Sequence, residues 1–402
     1  MTLSTADQMR QWRGPAILSF GFRPMFLLAS LWAVLAMVAW MAMLSGALSL
    51  PTRLDAVSWH AHEFLFGYLA AVIAGFLLTA VPNWTGRLPV VGWKIAGLAV
   101  LWLLGRLAIL ASIYLPVWAV TIADIAFLIV LCGVILREIV AGRNWRNLPV
   151  LALVGLLILA NLLFHIEAAD GGFAAQSVGL RFGLSVALVL MTLIGGRIIP
   201  SFTRNWLVGQ GHSARPAPPM QGFDKATILV SVLALVAWTG APTHMFTGGA
   251  LVLMAVLNGM RLLRWQGIQT RREPLVWVLH VAYGFIPLGA LMTGVAILSP
   301  HVITQVAALH VWTVGAIGLL TMAVMTRATL GHTGRPLHAG LATTVIYLAL
   351  IFAVFARVAA DWMPPLRMVL VDSAGFFWIA GFAGFVLIYG RLLLRPKKGV
   401  QD

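Results

Sequence analysis

The fold of this chain is decided by stretches such as residues 59–82, which read WHAHEFLFGYLAAVIAGFLLTAVP. The stretch carries two histidines and a glutamate near its start, and beyond Glu63 it is almost entirely apolar. About 20 residues of α-helix span about 30 Å, which is the thickness of the hydrocarbon core of a bilayer. The stretch therefore predicts a transmembrane helix that carries its ionisable residues at one end.

Apolar runs of this kind recur along the whole chain. Of the 402 residues, 61% are hydrophobic and 10% are charged, and the mean hydropathy is +0.95. A soluble protein of this composition would expose a large apolar surface, so a bilayer is the expected solvent. We predict an all-α, polytopic membrane protein that forms a single integral membrane domain over residues 1–402. About twelve transmembrane helices are expected, at about 25–48, 60–82, 92–110, 114–136, 148–166, 174–199, 226–240, 245–263, 275–298, 302–326, 339–359 and 368–391.

Basic residues give the predicted helices an orientation. The chain holds 27 Lys and Arg against 12 Asp and Glu, a net charge of +15. Most basic residues lie in the alternate loops on the side of both termini, whereas the opposite loops carry Arg53, Arg106, Arg357 and Arg367. Both termini are therefore expected in the cytoplasm. Because the basic residues form no stripe on a soluble domain, nucleic acid is excluded as a partner and membrane lipid is expected instead.

Internal similarity predicts a repeat of four helices. Two histidines, on the second and tenth predicted helices, are each followed by a glycine five residues on and by a Thr-Gly-Arg tripeptide that starts 23 residues on. The matching pairs are His62 and His310, Gly67 and Gly315, and Thr85 and Thr333. A related segment at 200–203, halfway between them, echoes 82–85. We therefore predict four-helix units at about 25–136, 148–263 and 275–391.

Histidines near one end of these helices are the first candidates for a site. An ionisable side chain inside a membrane span is costly unless it is paired or binds a ligand. The helix directions place His62, His165 and His310 at similar depth near the outer face. A buried haem b is commonly held by two imidazoles at equal depth on different helices, so His62 and His310 are the leading haem ligands. The alternative is that these are hydrated interfacial histidines that bind nothing.

A second site is suggested by the neighbouring histidine. His60 and His62 point about 200° apart around their helix, so they cannot serve one site. His60 would then face another haem or a copper ion, with His165 or with His244, which lies beside Met245, as partners. The single cysteine, Cys132, excludes a disulfide framework and a cysteine-based metal site within one chain.

Arg181 lies inside the sixth apolar run at a depth similar to that of Glu63. It could pair with Glu63 or bind haem propionates at the outer face, and either partner would avoid an isolated charge. Alternatively, its long side chain could extend to the membrane interface.

Several motifs resemble those of the NnrS family of bacterial membrane proteins. The similar segments are 59–67, 75–87, 161–165, 197–203, 310–318 and 325–335, so the likeness covers the whole chain. The resemblance implies a haem- and copper-containing protein of the bacterial inner membrane, associated with the nitric oxide response and denitrification. It implies no defined reaction, so enzyme activity, an electron donor and the role of nitric oxide as substrate, signal or poison are left open.

The four-helix spacing also resembles that of haem-copper oxidases and nitric oxide reductases. Those proteins have twelve helices in three arcs of four, with haem-ligating histidines on helices 2 and 10. This chain lacks a histidine pair on helix 7 and a second histidine on helix 10. Dioxygen reduction and proton pumping are therefore not expected.

A secondary transporter is the alternative function. Twelve helices, cytoplasmic termini and a longer connection near 197–225 are typical of such carriers. A carrier of this kind would pair helix 2 with helix 8 and place polar residues at midmembrane. Here the similarity pairs helix 2 with helix 10, and midmembrane carboxylates are few, with Asp124 and Asp372 as the candidates.

Overall fold

The computed structural model describes residues 12–85 and 90–396. These residues form helices without strands, and twelve of the helices in these ranges are long and apolar enough to cross a membrane. The predicted all-α, polytopic membrane fold is thus confirmed. The helices are α1 (Phe22–Leu44), α2 (Ala56–Pro82), α3 (Trp93–Leu110), α4 (Val117–Ala141), α5 (Trp145–Ala169), α6 (Val178–Gly209), α7 (Gly222–Gly240), α8 (Met245–Leu263), α9 (Pro274–Leu298), α10 (Gln305–His332), α11 (Leu341–Trp362) and α12 (Pro364–Leu394).

Polar side chains define where several helices begin. Asp55 precedes α2, and its carboxylate accepts hydrogen bonds from the backbone N–H groups of Val57 at 2.9 Å and Ser58 at 3.0 Å. Thr304 caps α10 in the same way, through the N–H of Ala307. Such caps satisfy N–H groups that have no partner within the helix.

The sixth helix is longer than its apolar run predicts. The run ends near residue 199, whereas α6 continues through Pro200 to Gly209. Proline removes one hydrogen bond of the helix, but hydroxyl groups of the next turn bond to backbone carbonyls, Ser201 to Arg197 and Thr203 to Ile199. Part of the predicted connection at 197–225 is therefore helical.

Two helices change their winding directly after a histidine. In α2 a π-helical segment covers Glu63–Leu69, immediately after His62. In α10 a second π-helical segment covers Val311–Leu319, immediately after His310. Segments of this kind are rare and occur frequently at functional sites. The similarity between the two histidine motifs therefore extends to their backbone. Of the Thr-Gly-Arg tripeptide after His62, Gly86 and Arg87 lie outside the described residues.

By its internal contacts the chain divides into two compact units. Unit 1 contains the described residues within Met1–Gly183, Ala328–Pro336 and Phe382–Asp402, and unit 2 contains Leu184–Arg327 and Leu337–Gly381. Three helices have the largest share of buried residues in their apolar segment: 83% in α2 and 72% each in α6 and α10. These helices are four apart in chain order. The three four-helix units stay a prediction.

Each unit contains a buried arginine that joins helices. In unit 1, Arg23 of α1 donates hydrogen bonds to the carbonyl oxygens of Leu393 at 2.9 Å and Arg395 at 2.6 Å, at the end of α12. In unit 2, Arg261 of α8 donates to Asp224 Oδ1 at 2.7 Å and to Tyr283 Oη at 3.1 Å. Both arginines thus satisfy polar groups inside their unit.

Candidate metal centre

Four helices of unit 1 bring a set of polar side chains together. Helix α2 supplies a histidine and the glutamate after it, α3 an arginine, α4 an aspartate, and α5 an asparagine and a histidine four residues apart. Among the described residues of unit 1 this cluster comprises His62, Glu63, Arg106, Asp124, Asn161 and His165. Each member is buried, and the exposed fraction of His62 and of Glu63 is 0%.

Glycines allow these helices to approach one another. A methyl carbon placed on Gly105 would lie 3.1 Å from the Cα atom of Asp124, so α3 and α4 pack closely beside Arg106. A methyl carbon on Gly67 would lie 2.6 Å from Arg106 Nη1. Small residues permit this kind of close packing between membrane helices. The glycines therefore make room for a large, charged side chain between α2 and α4.

His62 lies between two carboxylates. Its Nδ1 atom is 3.0 Å from Glu63 Oε1, and its Nε2 atom is 3.1 Å from Asp124 Oδ2. Nε2 is also 3.3 Å from Asn161 Oδ1. Both ring nitrogens are thus directed at polar partners inside the protein, although the residue has no exposure to solvent.

Arg106 binds both carboxylates of the cluster. Its Nη1 atom donates to the two oxygens of Glu63, at 2.7 and 2.8 Å, and its Nη2 atom donates to Asp124 Oδ1. The guanidinium also lies 6.0 Å from the ring of Trp102, a cation–π distance. A planar guanidinium presents its donors in a fixed fork, which suits a position between two carboxylates.

The second oxygen of Asp124 faces three groups. Asn161 Nδ2 donates to Oδ2 at 2.7 Å, and the Nε2 atoms of His62 and His165 lie 3.1 and 3.0 Å from it. The two carboxylate oxygens of Asp124 therefore have different partners: Oδ1 is directed to Arg106 and Oδ2 to the imidazoles.

The balance of charge in the cluster depends on a further cation. With both carboxylates ionised and both imidazoles neutral, Glu63 and Asp124 contribute two negative charges and Arg106 one positive charge. A buried charge without a counterion is strongly unfavourable. One positive charge, from a proton on an imidazole or from a metal cation, is needed to balance the site.

Three members of the cluster have the arrangement of a metal site. The ligand atoms of His62, Asp124 and His165 all lie within 4.8 Å of one another, and all three residues are buried. Two imidazoles and one carboxylate are a common ligand set for zinc, copper(II) and non-haem iron. Glu63 accepts at the other nitrogen of His62, as is usual for metal-binding histidines.

Comparison with known proteins identifies the family. The profile of a protein family described as NnrS protein matches residues 16–397, nearly the whole chain. The chain belongs to the NnrS family. No curated protein matches it. The predicted resemblance is thus confirmed, and it covers helices of both units.

In this NnrS-family chain, His60, the other predicted ligand on α2, lies in surroundings different from those of His62. The ring of His60 lies 4.3 Å from that of Trp40 in α1 and 4.7 Å from that of Phe64. His60 thus packs among aromatic rings, whereas His62 faces α4 and α5. Arg181, at the start of α6, donates to the carbonyl oxygen of Gln176 at 2.5 Å.

The predicted ligands in unit 2 have contacts of their own. The Nδ1 atom of His310 lies 2.7 Å from the carbonyl oxygen of Val306, one helical turn earlier. His244 is exposed and caps α8, since its Nδ1 atom accepts from the N–H of Phe246 at 3.2 Å. A ligand role for either histidine in this NnrS-family protein stays a prediction.

Sequence reasoning missed the centre of the cluster. The prediction that Arg106 lies in an outer loop is wrong, because it lies inside α3 and is 3% exposed. It binds Glu63, which the sequence suggests as a partner of Arg181. The sequence does contain a signal for the cluster: Asp124 is one of the few carboxylates within an apolar run, and Asn161 and His165 are spaced to lie on one helix face.

Proposed function

We propose that this NnrS-family protein is a metalloprotein of the bacterial inner membrane that protects against or responds to nitric oxide. Its metal ion is bound by His62, Asp124 and His165, near the outer face, and both termini lie in the cytoplasm. The observation that carries the proposal is the buried group of three ligand side chains, with Arg106 ion-paired to Glu63 and Asp124 beside it.

The ligand types favour an ion of intermediate hardness. Two imidazole nitrogens and a carboxylate oxygen suit copper(II), zinc or iron(II) better than copper(I), which prefers thiolate and thioether sulfur. Copper, which membership of this family implies, is therefore compatible with the site in its divalent form. A bound ion of this class would supply Lewis acidity or, for copper and iron, electron transfer.

The protein's own side chains would prepare the site. Glu63 Oε1 lies 3.0 Å from Nδ1 of His62 and would accept a proton from that nitrogen, so that Nε2 could bind an ion. The rings of Phe66 and Phe164 lie 5.4 and 5.1 Å from the His62 ring and exclude water from that side.

His62 is a poor haem ligand, so a haem would bind at other histidines. Both nitrogens of His62 face carboxylates, and phenylalanine rings flank it, so a porphyrin could reach Nε2 only by displacing Asp124 and Asn161. We therefore treat haem b as a separate group, for which His310 stays the proposed ligand.

Metal analysis of the protein purified in detergent tests the ion site. We expect about one non-haem copper, zinc or iron per chain, lost in His62→Ala and in His165→Ala. His212→Ala is the matched control, because that histidine is exposed just after α6, where it stacks on Trp206, and this variant should retain the ion. A wild-type protein that binds none of these ions after reconstitution would overturn the proposal, as would loss of the ion in His212→Ala alone.

The haem and the biological role need separate measurements. A Soret band that survives in His62→Ala but is lost in His310→Ala is expected for a separate haem. A deletion strain should be sensitive to a nitric oxide donor and should be complemented by the wild-type gene but not by His62→Ala. Equal growth of all strains would reject the link to nitric oxide.

A transporter is less favoured by the same cluster. Arg106 forms ion pairs with Glu63 and Asp124, so three helices are joined by buried charged groups. Such a network favours a fixed site over helices that separate during each transport cycle.

A further inference from the structure

Arg106 lies next to two of the three proposed ligands of the metal site, because it bonds to Asp124 and to Glu63, the partner of His62. It joins the glutamate behind His62 to the aspartate between His62 and His165. Its placement is also specific, since Trp102 lies against it and donates from Nε1 to the carbonyl oxygen of Gly67 at 2.9 Å.

The first effect is on the histidine. Glu63 Oε1 is shared by Arg106 Nη1, at 2.7 Å, and by His62 Nδ1, at 3.0 Å. When an ion takes Nε2, the proton of His62 lies on Nδ1, and Glu63 Oε1, held by Arg106, is in place to accept it.

The second effect is on the aspartate. Arg106 occupies Oδ1 of Asp124 from the α3 side, so Oδ2 is the oxygen that faces the imidazoles. The carboxylate is thereby oriented to offer one oxygen to an ion. Asn161 Nδ2, which donates to the same Oδ2 at 2.7 Å, supports this orientation from α5.

We infer that Arg106 is the positioning residue of this metal centre: its guanidinium sets the tautomer of His62 and the orientation of Asp124, and thereby the affinity and coordination geometry of the ion. The inference rests on the proposed metal site. A lysine would supply the charge as a single point and could not hold two carboxylates in one plane.

The test compares Arg106→Lys with the wild-type protein, both full-length, in detergent and titrated with Cu²⁺. We expect the affinity for Cu²⁺ to fall about 10- to 100-fold, as is typical when groups behind the ligands are changed. The electron paramagnetic resonance spectrum of the bound Cu²⁺ should also shift, because the ligand geometry changes. A general loss of packing would not by itself produce a new spectrum.

Arg261→Lys is the matched control. Arg261 is another buried arginine paired with an aspartate, but it lies in unit 2 and bonds to Asp224. This variant should lose stability while keeping the wild-type affinity and spectrum. An equal loss of Cu²⁺ in both lysine variants would overturn the inference.

Glu63→Gln keeps the test decisive if Arg106→Lys does not fold. The amide has nearly the same shape, and it weakens both the bond to Arg106 and the bond to His62 Nδ1. Glu63→Gln should also reduce the affinity for Cu²⁺ and change the spectrum of the bound ion. Wild-type values in this variant would reject the inference that Arg106 acts on His62 through Glu63. A wild-type protein without a Cu²⁺ spectrum would instead reject the metal site itself, so the two failures are distinguishable.

Discussion

Replacing Gly67 by alanine should weaken the ion pair between Arg106 and Glu63. The added methyl carbon would lie beside the ion pair, 2.6 Å from Arg106 Nη1 and 3.0 Å from Glu63 Oε2. Ordinary contact needs about 3.5 Å or more, so the guanidinium must move by about 1 Å. This shift lies at an angle to the bonds with Glu63, now 2.7 and 2.8 Å, and would lengthen them toward about 3.3–3.5 Å, where hydrogen bonds weaken.

The size of the effect follows from what is broken. Overpacking alone lowers the free energy of unfolding by about 1–3 kcal/mol. Opening a buried ion pair raises this loss to about 3–5 kcal/mol. Because Glu63 would no longer be held, the affinity for Cu²⁺ should also fall about 10- to 100-fold. Denaturant titration in detergent measures the first quantity, and Cu²⁺ titration measures the second.

Gly315→Ala provides the control at the matching position of α10. Its methyl carbon would lie 2.5 Å from Cγ of Phe285, so it also overpacks a π-helical segment, but against an aromatic ring. This variant should lose about 1–3 kcal/mol of unfolding free energy and keep the wild-type affinity for Cu²⁺. The reasoning is refuted if Gly67→Ala binds Cu²⁺ as tightly as the wild type does, or if both variants lose the ion equally.

Three further changes test the polar contacts one at a time. Asp124→Asn should abolish ion binding, and it should lower the free energy of unfolding by about 3–5 kcal/mol because Arg106 loses a buried partner. Metal analysis and denaturant titration measure these two effects, and retention of the ion would contradict the prediction. Arg261→Met should lower the free energy of unfolding by a similar amount, and adding Asp224→Asn should lower it little further, because the two residues are paired. A double-mutant cycle measured by denaturant titration tests this, and additive losses of unfolding free energy would contradict the pairing. Arg23→Gln should lower the free energy of unfolding by about 1.5–3 kcal/mol and speed hydrogen exchange at the end of α12, where unchanged exchange would argue against the contact.

The fold could be predicted from the sequence because hydrophobic length is a local property. A membrane helix satisfies its own backbone hydrogen bonds, so an apolar run of sufficient length is enough to predict it. The start of α7 was predicted late because its first turn is polar, with a capping box between Gln221 and Asp224. The end of α6 was predicted early because its last turns are polar and contain a proline.

The site could be predicted only by residue type. His62 and His165 were predicted as ligands, but on different grounds from those the structure gives, since His62 was paired with His310. The rotation of one helix against another decides which side chains meet, and this depends on the packing of the whole unit. Arg106 and Asp124 come together because Gly105 lets their helices touch, which no local pattern reveals.

The π-helical segment after His62 has a consequence for how the site can be lost or moved. A π segment accommodates more residues per turn than an α-helix does, so it offsets the helix before it from the helix after it. Deleting a single residue within Glu63–Leu69 would let α2 return to regular winding while the part toward Pro82 keeps its packing. His62 would then swing by about 100° around the axis, away from α4 and α5. The alignment of this histidine with its partners thus depends on the length of one segment as much as on the identity of any side chain.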